Sequence, residues 1–136
     1  MKQAAVIATV MLVSITAYAG KADREYMKNT VMPAVKKATD AVKKSCGCAM
    51  TITVNESTIK TENDMSPARY IAESVADGVA GYCTDDASKK AVCQMKTLEI
   101  TKAAEAVFTF KGNKGVASTD GQSHVSFEMM TRELDK

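Results

Sequence analysis

Apolar positions repeat with two different periods along this chain, and the change between them falls at Cys46-Gly47-Cys48. From Lys21 to Ser45 the spacing is helical. Met27, Val31, Ala34, Val35, Ala38, Ala41 and Val42 share one broad face, at about 100° per residue, while Lys36, Lys37, Asp40, Lys43 and Lys44 take the opposite one. Pro33 removes one backbone donor from this run, so a kinked or two-part helix is expected, with Met27 still in phase. After Cys46 the period falls to two. Cys48, Met50, Ile52 and Val54 alternate with Ala49, Thr51, Thr53 and Asn55, which is the pattern of a half-buried strand. Gly47 is the natural exit between the two, because glycine accepts the left-handed conformation that ends many helices.

Residues 55–65 are polar and read as a connection anchored by Ile59. Ser66-Pro67 has the form of a helix start, a capping hydroxyl followed by proline in the first turn. Ala68, Ile71, Ala72, Val75, Gly78, Val79 and Tyr82 then line one face. A glycine on that face costs about 1 kcal/mol of helix propensity and predicts close approach by another element. Thr84-Asp85-Asp86 opens a short helix ending near Cys93. Strands follow around Leu98 and Ile100 and around Val107 to Phe110. Turn signals come at Gly112-Asn113-Lys114-Gly115 and Asp120-Gly121, and Val125, Phe127 and Met129 alternate as a final strand. The expected fold class is α+β: two main helices packed on one face of a small, mostly antiparallel sheet of about four strands, in the order α-β-α-α(short)-β-β-β.

The first residues change the picture of where this domain works. Met1-Lys2-Gln3 carries one charge, Ala4 to Ile15 is apolar but too short to span a bilayer, and Ala17-Tyr18-Ala19 has the A-x-A form of a signal-peptide cleavage site. Residues 1–19 therefore read as a secretory leader cleaved after Ala19, and residues 20–136 as one α+β domain in the periplasm or outside the cell. Removing 19 of the 136 residues leaves 117, with Lys2 lost, so 17 basic residues face 16 acidic ones. A net charge of +1 gives no pull toward nucleic acid or anionic lipid. The mature aromatics, Tyr26, Tyr70, Tyr82, Phe108, Phe110 and Phe127, are few for stacking on bases or sugars. No other apolar run is long enough to insert in a membrane.

In an exported chain, four cysteines point to two disulfides. A right-handed crossover from the strand at 49–55 through the following helix brings Cys83 and Cys93 to the end of the domain that holds Cys46 and Cys48. Cys83–Cys93, with Cys46–Cys48, is the expected pairing because it closes the smaller loops; crossed pairs compete closely with it. Each staple contributes about 2–4 kcal/mol.

Candidate chemistry is sparse. Cys46-Gly47-Cys48 follows a helix C-terminus, whose dipole raises a thiol pKa, and it lacks the C-x-x-C spacing of reactive pairs; thiol-redox or soft-metal binding through the cysteine cluster is the minority reading. His124, the single histidine, is expected to be exposed, and Gly121-Gln122-Ser123-His124-Val125 lacks the second glycine of a nucleophile elbow. Whether any enzymatic activity exists is left open, with non-enzymatic action favoured and no cofactor or metal expected. The reading that remains is an exported, disulfide-stabilised domain acting by protein–protein contact, of an inhibitor or immunity type, with an envelope-associated scaffold as the alternative. Lys36, Lys37, Lys43 and Lys44 form the candidate basic face for a partner, although a solvated face is the commoner meaning of such a run. Composition does not set an oligomeric state.

Overall fold

The computed structural model of the protein describes residues 20–136, and the expected leader, residues 1–19, lies outside the described residues. A long helical segment comes first: α1 (Lys21–Tyr26), a π-helical turn over Met27–Val31, and α2 (Met32–Cys46). At the turn, the Met32 N–H bonds to the Met27 carbonyl five residues back. This wider turn sits beside Pro33, which has no N–H to give, and keeps Met27 and Val31 buried. The expected two-part helix is thus realised without a break. Gly47, at φ 80°, ends α2 in the left-handed conformation, with its N–H on the Lys43 carbonyl.

Strand β1 (Thr51–Val54) leads to α3 (Glu62–Tyr82), α4 (Asp86–Cys93), β2 (Thr97–Lys102), β3 (Phe108–Lys111), β4 (Lys114–Thr119) and α5 (Phe127–Leu134). The sheet order is β1-β2-β4-β3. β1 pairs with β2 and β2 with β4 in parallel, and only β3 with β4 is antiparallel. The class is α+β as expected, but the sheet is mixed rather than mostly antiparallel. The reason lies in β4: it returns between β2 and β3 instead of adding to the edge.

Register puts Ile52, Leu98 and Gly115 in one row and Val54, Ile100, Ala117 and Phe108 in the next, all on the face toward the helices. Leu98 and Ile100 are fully buried there with Ile71, Val75 and Val79 of α3; each such side chain stabilises the fold by about 1.5–3 kcal/mol. The opposite sheet face stays polar, with Glu99 bonded to Lys114 at 3.0 Å and to Asn55 at 2.8 Å. These two partners, Lys114 first, hold the Glu99 carboxyl below the usual carboxylate range. Gly115 is required by packing: a Cβ there would overlap Met95 Sδ and lie 2.9 Å from the Phe108 ring.

Two expected elements differ. Helix α3 starts at Glu62, more than one turn before the expected start at Ser66-Pro67, so Pro67 lies inside it. Residues 125–129 do not form a strand. Ser126 accepts a hydrogen bond from the Met129 N–H, and Phe127, Met130, Thr131 and Leu134 are buried at helical spacing as α5.

Candidate functional site

The parallel strands give the domain two poles. At their amino ends lie the end of α2, the end of α3 and all of α4, and there the cysteines meet. Cys46 is bonded to Cys83 and Cys48 to Cys93, with Cα separations of 5.3 and 5.9 Å. The expected convergence is present, but the expected pairs Cys83–Cys93 and Cys46–Cys48 are not. α2 and α3 reach this pole side by side, which brings Cys46 to Cys83, while Cys48, one step into the strand, faces the end of α4. With all four sulfurs in disulfides, no thiolate is free as nucleophile or ligand, and no group of three or more His, Cys, Asp or Glu suited to a metal exists among the described residues.

Helices α3 and α5 run side by side from the carboxyl ends of the parallel strands toward the cystine pole, and between them lies an open groove of about 570 Å³. Its floor is made by Gly78 and Gly81 of α3 and by the ring of Phe127, which meets Tyr82 edge to face at 5.8 Å. Gly78 allows this contact, since a Cβ there would stand 2.5 Å from Phe127 Cδ2. Gly81 is different: nothing lies within 4 Å of the Cβ position, so its bare backbone leaves the groove wide. Three serine and threonine hydroxyls line the walls, and each is already used. Ser74 accepts from the Phe127 N–H and donates to the Ile71 carbonyl, Ser126 caps α5, and Thr131 donates to the Glu128 carbonyl.

The charged groups of the groove are Asp77 and Glu128, and no basic residue lines it. Glu128 is bonded at its outer side to Arg132, at 2.8 Å. At the lower end the Tyr82 hydroxyl donates to Asp135. Desolvation, this bond and the nearby Asp135 and Asp85 charges push the Tyr82 phenol up to about 12. The result is an apolar floor with two aromatic rings under an acidic rim, a surface that favours a cation over an anion.

His124 lies at the other pole, half-buried rather than exposed. Its ring is 5.6 Å from that of Tyr70, on which the Arg69 guanidinium sits at 4.7 Å. Arg69 Nε stands 3.5 Å from Glu73 Oε2, an ion pair misaligned for a hydrogen bond. No hydroxyl or carboxylate of the described residues bonds to the His124 imidazole, so this histidine is not paired with a nucleophile or an orienting carboxylate. Lys36, Lys37, Lys43 and Lys44 do lie together on the exposed face of α2, where Asp40 takes Lys36 at 2.9 Å and raises its pKa.

The sequence reading missed the groove. Its signals were present in Gly81, a second glycine three residues after Gly78, and in the alternative helical spacing of residues 127–134. No helix among the described residues is long and apolar enough to cross a membrane. No protein-family model, curated protein or solved structure matches this chain.

Proposed function

We propose that this chain is an exported binding domain of the inhibitor or immunity type. In this reading the leader is removed after Ala19, and the mature domain acts in the periplasm or beyond by contact with a protein partner. The observation that carries the reading is the α3–α5 groove: an aromatic and glycine floor with carboxylates and no base along its rim. Tyrosine and phenylalanine supply contact area at low entropic cost, and Asp77 and Glu128 select a lysine or arginine presented by the partner. Two disulfides at one pole support the export reading, because such bonds persist in oxidising compartments.

Position 81 gives a direct test, because a side chain there enters the groove without touching the fold. A photo-crosslinking amino acid placed at Gly81, in the full chain expressed with its own leader, should give one discrete adduct with a periplasmic protein. The adduct should disappear when Asp77→Lys and Glu128→Lys are added. An adduct formed from Lys37 on α2 but none from position 81 would overturn the groove as the contact surface and move it to the basic face. As a control on the fold, Gly81→Ala should leave the melting temperature unchanged or slightly raised. Gly78→Ala should cost about 1–3 kcal/mol, through overlap with Phe127.

A further inference from the structure

The two disulfides are adjacent yet differently placed. Cys46 and Cys83 are buried, at 4% and 6% exposure. Cys48 and Cys93 are each only partly buried and pack at the margin of the core. Cys93 Sγ lies 3.4 Å from the Cys46 carbonyl oxygen, so the outer bridge rests on the backbone of the inner one. Exchange needs an incoming thiolate to approach a sulfur along the S–S axis, and burial blocks that approach. Access therefore separates the two bonds.

We infer that Cys48–Cys93 is a thiol-exchange site that accepts electrons from a dithiol while Cys46–Cys83 stays closed. In the first step the thiolate of the dithiol bonds to one sulfur of the outer cystine, the Cys48–Cys93 bond breaks, and the other sulfur leaves as a thiolate. In the second step the remaining thiol of the reductant, as thiolate, attacks its own sulfur in the mixed disulfide. Cys48 and Cys93 are then both reduced, each taking up one proton, and the dithiol has become a disulfide. The fold has reason to survive this change. The inner cystine still joins α2 to α3, α4 keeps Val92 fully buried, and the Gln94 amide still donates to the Leu134 carbonyl at 2.9 Å.

The test is graded reduction of the native, full-length product with dithiothreitol, quenched with iodoacetamide and mapped by peptide mass. The expected first product carries label on Cys48 and Cys93 only, forms at least about tenfold faster than the fully reduced chain, and keeps the native circular dichroism. Label on Cys46 or Cys83 in the first product would overturn the inference. So would simultaneous opening of both bridges, or a rearranged Cys46–Cys48 bond. As a second measurement, oxidised glutathione should cap Cys48 in a Cys93→Ser variant that retains the Cys46–Cys83 bond; a Cys48 that resists capping in the folded variant would equally count against it.

Discussion

At the amino ends of the parallel strands, four sulfurs fasten the ends of α2, α3 and α4 to the start of β1. At the carboxyl ends no covalent link exists, and the loops are held by short side chains bonded to nearby backbone. Asp120 accepts from the Gln122 and Ser123 N–H groups at 2.8 and 2.7 Å, and Thr119 accepts from the Gly121 N–H and donates to the Ser123 carbonyl. Ser118 ties Val107 and Glu105 to β4. Asp64, buried at the start of α3, is paired with Lys102 at 3.0 Å. One pole is tied by bonds that acid and salt leave intact, and the other depends on ionised carboxylates and satisfied hydroxyls. The covalent pole therefore tolerates changes in pH and salt that the loop pole registers.

The sharpest way to break this contrast is to remove the covalent term. Replacing Cys46 and Cys83 together by alanine deletes a link across 37 residues, and should lower the unfolding free energy by about 4 kcal/mol, measured by urea denaturation. An unchanged midpoint would mean that packing and the remaining Cys48–Cys93 bridge hold the pole without it. Next in size, Lys102→Met removes the partner of a mostly buried carboxylate. Lys102 is itself 42% exposed, so solvent screening limits the loss to about 1 kcal/mol. Asp64→Asn combined with Lys102→Met should recover part of it.

The smallest effect is one of pH. The backbone bonds from Ser123 and then Gln122 hold the Asp120 carboxyl below its usual range. A carboxyl with a folded pKa depressed in this way contributes stability above its unfolded value of about 4, and loses it as pH falls through the folded value. Protection of the Gln122 and Ser123 amides, relative to their intrinsic exchange rates, should therefore fall in acid, while the Cys83 amide, bonded to the Val79 carbonyl at 2.8 Å, stays protected. Equal loss at both sites would erase the distinction between the poles.

The cystine pole was the more legible in sequence. Helical spacing up to Val42, the glycine at 47 and alternation from Cys48 placed α2 and β1 closely, and the crossover rule brought Cys83 and Cys93 to the same end. Pairing was not legible: loop size favours neighbours, whereas the side-by-side approach of α2 and α3 decides the bond between Cys46 and Cys83. The other half was harder to read because β4 is written in small residues. Gly115, Ala117 and Ser118 give a weak hydrophobic signal, yet they are small because Met95 and Phe108 fill the space above the first of them. With β4 unseen, the alternation of Val125, Phe127 and Met129 stood in for a strand that the Ser126 cap and the burial of Met130 and Leu134 make a helix. The groove followed that error, since half of it is α5.

The interleaved order of the cystines also governs what a single cut in the chain can do. A protease that cleaves between Cys48 and Cys83 leaves two fragments joined by both bridges. Cleavage between Cys83 and Cys93 leaves them joined by Cys48–Cys93, and cleavage beside Gly47 leaves them joined by Cys46–Cys83. Neighbouring pairs would instead have let any nick in the 55–61 loop release the molecule in two pieces. The crossed arrangement thus keeps every singly nicked form, from Cys46 to Cys93, one covalent molecule.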